Sequence, residues 1–243
     1  MAYVPLATSI VSFIFAIIVL DQYLAKRKPY QLIWTIGLFM YCFSAFTEFW
    51  WNVIGPVEIM YRLWYLIGAI FVAAYLGQGT IYLLMRRKVA HIIMAVLGAA
   101  SVYAAYRVFS INIDISSLTE LTGVGIFPTD IRAIITPIFN AFGTIALVGG
   151  AIYCAIIFWK RRILPHRVVA NILIAIGAIL PAVGGTNISV GGNINLFFIF
   201  ELAGVIIIFI GFLRANKVFG IYRFPLIHGF RKVEEIEQKK DGK

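Results

Sequence analysis

Apolar residues run along the chain in seven long blocks, broken by short polar or turn-forming stretches. The blocks cover about Tyr3–Leu20, Tyr30–Trp51, Pro56–Leu84, Val89–Tyr106, Ile131–Trp159, Val168–Ser189 and Asn195–Leu213. At a rise of 1.5 Å per residue, a block of roughly 20 residues crosses the hydrocarbon core of a bilayer. The pattern predicts an all-α, polytopic bundle of seven transmembrane helices. Residues 1–217 form the membrane domain and 218–243 a short basic tail. The first block follows Met1-Ala2-Tyr3-Val4-Pro5 with no basic residue before it and is closed by Lys26-Arg27-Lys28. That order fits a first membrane helix, not a cleavable signal peptide.

The linkers alternate in charge. Lys26-Arg27-Lys28, Arg86-Arg87-Lys88, Lys160-Arg161-Arg162 with Arg167, and the tail from Arg214 hold 18 of the 21 Lys and Arg residues. The intervening linkers hold few, and the one after the fourth block carries Asp114, Glu120 and Asp130. Basic loops stay on the cytoplasmic side. The N-terminus is therefore expected outside, the C-terminus in the cytoplasm, and the chain in the plasma membrane as a multi-pass protein. Trp50, Trp51, Tyr61, Trp64, Tyr103 and Tyr106 gather at the outer ends of the blocks, and Tyr23, Tyr30, Trp34, Tyr82 and Trp159 at the inner ends, as aromatic belts do.

Composition removes whole classes. Hydrophobic residues make up 61% of the 243 and charged residues 13%, against roughly 45–50% and 25% in soluble domains. The net charge of +10 sits in the inner linkers, so it reads as topology and attraction to anionic lipid, and no nucleic-acid partner is expected. Cys42 and Cys154 lie inside apolar blocks and read as small core residues. His91, His166 and His228 are at inner ends, in a loop and in the tail. They form no paired haem ligands at membrane depth and no zinc cluster. No cofactor, metal ligand set or catalytic signature is identified.

Small residues mark expected packing faces: Gly68, Ala69, Ala73 and Gly77 in the third block, Gly98, Ala99, Ala100, Ala104 and Ala105 in the fourth, and Gly143, Gly149, Gly150 and Ala151 in the fifth. Such density predicts a tightly packed bundle. Pro181, Gly184, Gly185 and Asn187 predict a kinked or unwound outer end of the sixth helix. The tail, with Phe224, Leu226, Ile227 and Phe230 among basic residues, reads as a segment at the inner interface, too short for an effector domain.

The candidate chemistry lies in polar residues at helical spacing. Gly37, Tyr41, Ser44 and Glu48 share one face of the second helix. Arg62, Tyr65 and Ala69 do so in the third, Ser9, Ser12 and Ala16 in the first, Thr136, Asn140 and Thr144 in the fifth, and Glu201, Gly204 and Gly211 in the seventh. From the helical rise, Glu48, Arg62 and Asn140 fall roughly 5–12 Å below the outer surface and Glu201 about 9 Å below it. Ionisable groups at that depth are costly and usually face the bundle interior. The expected ligand-binding site is an outer-half polar pocket of Glu48, Arg62, Tyr65, Asn140 and Glu201, with Arg62 paired to one or both carboxylates. Glu48 and Arg62 also fit side chains snorkelling to the headgroups.

Seven helices in this orientation resemble the microbial rhodopsins in layout, but the seventh block has no Lys, so retinal held by a Schiff base is rejected. Arg62-Leu-Trp-Tyr-Leu-Ile-Gly-Ala69, Leu76-Gly-Gln-Gly-Thr-Ile-Tyr-Leu83 and Gly204-Val-Ile-Ile-Ile-Phe-Ile-Gly-Phe-Leu213 resemble a pattern in uncharacterised bacterial and archaeal seven-helix integral membrane proteins. That resemblance implies topology alone. The layout is also similar to the seven-helix sensor modules that precede bacterial histidine kinases.

Ala16-Ile-Ile with Ile36-Gly37 echoes Ala155-Ile-Ile with Ile176-Gly177, a three-plus-one-plus-three arrangement like that of parallel-repeat transporters. The sequence thus predicts a non-enzymatic membrane protein, either a receptor-like ligand-binding module or an accessory subunit of a larger membrane complex. Its partners would be the bilayer and other membrane subunits. The alternative is a small-solute transporter. A membrane enzyme using Glu48 or Glu201 as acid or base is a third class.

Overall fold

The computed structural model describes residues 2–114, 121–123, 125–162 and 165–216. The tail from 218 onward, with its expected interfacial segment, lies outside the described residues. The described residues are helical, with no strand among them. Seven helices are long and apolar enough to cross a membrane: α1 Val4–Lys26, α2 Pro29–Val53, α3 Glu58–Leu84, α4 Arg87–Phe109, α5 Ile131–Lys160, α6 Pro165–Ser189 and α7 Ile194–Asn216. α2 and α6 open on Pro29 and Pro165, whose missing N–H is one that a first turn leaves unbonded anyway.

Six helices form a ring in the order α1, α2, α3, α5, α6, α7, which closes by the packing of α7 on α1. α4 stands outside that ring and packs on α3 and the start of α5. The core has two parts. Tyr61, Trp64, Tyr65, Ile70 and Phe71 of α3 are buried with Leu97 and Val108 of α4, Phe139 of α5, and Leu121 and Phe127 of the outer loop. Phe15 of α1 joins Tyr41 of α2 and Val205 and Phe212 of α7 in the other. Its ring stacks on Phe209 at 4.8 Å and meets Phe212 at 5.1 Å.

Two stretches depart from α-helical winding. Trp64–Phe71 in α3 and Ile131–Ile135 at the head of α5 are π-helical. The second precedes Pro137, which cannot donate a backbone hydrogen bond and crowds the turn before it. A wider turn relieves that crowding, and Thr136 Oγ1 donates to the Ile131 carbonyl at 3.0 Å within it.

The small residues divide. At Gly143 a Cβ would overlap the Ala73 carbonyl, and at Gly77 it would lie 2.6 Å from the Gly143 carbonyl oxygen. These two let the α3 and α5 backbones touch. Gly177 and Gly204 do the same for α6 and α7, each 2.7 Å from the other's carbonyl oxygen by that measure. Gly98 and Gly149, by contrast, face open space, and Ala99 is exposed. The expected tight face on the fourth helix is thus corrected in part: Ala104 is buried and Ala100 and Ala105 pack against the core, while Gly98 and Ala99 do not. Ile92, Val96 and Val102 of α4 are also exposed, because lipid satisfies an apolar surface as well as a neighbouring helix does.

The sixth helix is not unwound at its outer end. It stays helical through Ser189, with Pro181 inside it. Pro181 leaves the Gly177 carbonyl without its usual donor. Gly204 lies against both that carbonyl and the Pro181 ring, so the break is filled by close backbone packing and not by unwinding.

Replacing Gly143 by Ala should lower the thermal unfolding midpoint in detergent by several degrees, since overpacking costs about 1–3 kcal/mol. Gly98→Ala should leave it unchanged or slightly raised. Equal midpoints for the two variants would contradict the close α3–α5 approach.

Candidate functional site

The polar stripe of α2 is buried along its length. Gly37, Tyr41, Ser44 and Glu48 all face the interior, and so do Thr8, Ser9 and Ser12 of α1. Ser9 Oγ donates to the Cys42 carbonyl at 3.0 Å, joining α1 to α2. Ser44 Oγ occupies the space where Gly68 lacks a Cβ, so α2 and α3 close up there.

Glu48 and Glu201 are brought together. Glu48 is 0% exposed and Glu201 5%, and their carboxyl groups lie against one another. Trp64 Nε1 donates to Glu48 Oε1 at 2.9 Å. Tyr41 donates its hydroxyl hydrogen to the Glu201 backbone carbonyl at 2.9 Å. One oxygen on each carboxyl, Oε2 in both cases, has no hydrogen-bond partner. Among the described residues neither carboxyl has a Lys, Arg or His partner.

Arg62 does not join them. Its Nε and Nη2 donate to Glu58 Oε1 at 2.8 and 2.6 Å, one turn away on the same helix. Nη1 reaches the Val108 carbonyl and Nη2 the Ile111 carbonyl, each at 2.6 Å. The expected pairing of Arg62 with Glu48 or Glu201 is therefore corrected. The guanidinium instead closes the C-terminal end of α4, where unbonded carbonyls and the negative end of the helix dipole attract a cation. Arg62 is 7% exposed, so it is not snorkelling either.

Tyr65 and Asn140 form a second cluster, between α3 and α5. The Tyr65 hydroxyl lies 3.1 Å from Thr136 Oγ1. Asn140 Nδ2 donates to the Ala69 carbonyl at 2.8 Å. Both contacts tie a π-helical stretch to its neighbour, and neither bond is to the carboxyl pair. The five expected residues thus separate into a carboxyl pair, an α4 cap and an α3–α5 tie. Trp64 is the partner that spacing arguments missed. It lies off the Arg62–Tyr65–Ala69 face, and its aromatic ring read as interface.

The described part of the outer loop covers the second cluster. Leu121 and Phe127 are buried. Phe127 stacks on Tyr65 at 4.1 Å and on Tyr61 at 5.6 Å. Tyr61 donates its hydroxyl hydrogen to the Thr122 carbonyl at 2.5 Å. Arg107 pins the far end of the loop, donating from Nε to Asp130 Oδ2 at 3.1 Å, with Nη2 on the same oxygen.

Chemically, the pair gathers carboxyl oxygens, the ligand type for hard cations and an acceptor for protons, in the buried core. No protein-family model, no curated protein and no solved structure matches the chain significantly.

The hydrogen bond and charge of Arg107 hold the Asp130 carboxyl below the usual aspartate range. A lowered folded-state value means the contribution is present above the unfolded value, about 3.9, and is lost as pH falls through the folded one. Asp130→Asn should therefore lower the unfolding midpoint slightly at pH 7, and the gap from the parent should begin to narrow as pH falls below about 4. A gap that does not shrink as pH is lowered from there would contradict this account.

Proposed function

We propose that the chain is a non-enzymatic integral membrane protein, a receptor-like module of the plasma membrane with its basic ends in the cytoplasm. Its ligand is a small monovalent cation, the proton included, held between Glu48 and Glu201. The observation that supports this reading is the contact of two buried carboxyl groups with no basic side chain beside them. Two negative charges at that spacing, shielded from water, repel strongly, and a proton or a cation between them removes the repulsion.

The unpartnered oxygen on each side supplies the acceptors. α2 and α7 meet across the ring at this pair and at the Tyr41 bond. Loading or emptying the site would change how closely the two helices approach, which is the differential contact that a two-state receptor needs.

A second reading, a small-solute transporter, draws support from the ring itself. With α4 outside, three helices on each side remain in a three-plus-one-plus-three order. The carboxyl pair would then couple solute movement to a cation.

The test is thermal unfolding of the full chain in detergent, with NaCl or KCl stepped against choline chloride at constant ionic strength, and with pH stepped separately. A ligand at 100 times its dissociation constant stabilises by about 2.7 kcal/mol, or about 5–10 °C for a domain of this size. The parent should respond to at least one of these cations, and the Glu48→Gln/Glu201→Gln double variant to none beyond the acid response of Asp130 below about pH 4. The same response in both proteins, or no response in the parent, would sink the cation site. Cation-dependent solute uptake into liposomes would move the assignment to the transporter.

A further inference from the structure

The basic end of the bundle holds a groove between the last turn of α5 and the first turns of α6. Its volume is about 650 Å³, within the roughly 300–1,000 Å³ of pockets that hold small organic ligands. Two kinds of side chain line it. Lys160 and Arg162 supply charge, and Phe158, Trp159, Val168 and Val169 supply an apolar wall. Trp159 is 71% exposed, as a belt residue at the headgroup level is. Arg167 sits over the Phe158 ring at 5.6 Å and holds that wall in place.

Among the described residues nothing compensates the charge of the groove. Lys160 and Arg162 make no ion pair among the described residues. The sequence has no Asp or Glu between Asp130 and Glu201, so neither α5 nor α6 carries a counter-charge. Arg162 also adopts a left-handed backbone conformation, φ +51°, at a helix end where glycine usually sits. A groove that is cationic at the rim, apolar in the wall and level with the headgroups complements a molecule with an anionic head and an acyl chain.

We propose that the α5–α6 groove is a binding site for one anionic phospholipid, whose phosphate is held by Lys160 and Arg162 and whose acyl chain lies on Phe158, Val168 and Val169. This is a seated lipid, distinct from the diffuse attraction that every basic loop exerts on an anionic leaflet. The first basic loop supplies the internal control. Arg27 has the same left-handed conformation, φ +50°, at the end of α1, and it does not line the groove.

The experiment is native mass spectrometry of the full chain in detergent, titrated with phosphatidylglycerol or phosphatidylcholine. The parent should retain one phosphatidylglycerol in preference to phosphatidylcholine. Lys160→Gln/Arg162→Gln should weaken that retention about 10- to 30-fold, the loss expected for two cations near an anionic group. Arg27→Gln/Lys28→Gln should change it less than about threefold, because long-range attraction alone is reduced. Val169→Trp, which fills the groove without altering charge, should weaken it as well. Equal losses in the two charge variants, full retention in Val169→Trp, or no preference between the lipids would each overturn the proposal.

Discussion

A bilayer interior supplies no water, so every backbone carbonyl and amide must find its partner within the protein. Much of this bundle follows from that constraint. Side-chain donors on one helix repeatedly seek a backbone carbonyl on another: Ser9 to Cys42, Trp34 to Leu76, Tyr41 to Glu201, Gln78 to Ala90 and Asn140 to Ala69. A helical carbonyl keeps a second lone pair free for such a bond. Each bond contributes only about 0.6 kcal/mol on average in a membrane protein. Their distribution matters more than their sum. They stitch α1, α2, α3, α4, α5 and, through Tyr41, α7 together, and they set the depth at which one helix meets the next.

α6 and α7 answer the constraint differently. The carbonyl orphaned by Pro181 has no side-chain donor, and the glycine of a neighbouring helix presses against it. Close approach there depends on Gly177 and Gly204 lacking side chains, as donor bonds depend on Ser9 or Asn140 having them. The carboxyl pair sits where the two modes meet. Glu48 belongs to the stitched half, and Glu201 lies three residues before Gly204 on the glycine-packed helix.

The seven spans were legible because burial in lipid demands unbroken apolar length, and their observed ends fall close to the expected ones. The inward face of α2 was legible too, since helical spacing alone places Gly37, Tyr41, Ser44 and Glu48 together. Partners were not legible. Spacing reports which way Arg62 points but not that Glu58 and the end of α4 compete for it more closely than Glu48 does. Nor could small residues say which neighbour they face. Ala99 and Gly98 look like a packing surface in sequence, and they meet none because lipid accepts them equally well. The π-helical stretch of α3 holds no proline or other local mark, and its ties to Thr136 and Asn140 of α5 are ones no local pattern encodes.

The position of α4 outside the ring has a consequence for helix polarity. Successive helices cross in opposite directions, so α1–α2, α2–α3, α5–α6 and α6–α7 are antiparallel neighbours whose dipoles attract. Because α4 is skipped, α3 lies beside α5 and α7 beside α1 in the same direction, with like dipole ends side by side. Other forces hold those two contacts. Asn140 and the Gly77–Gly143 approach join α3 to α5, and the Phe15 stack on Phe209 joins α1 to α7. The ring is therefore two three-helix blades of antiparallel neighbours, joined along two parallel seams.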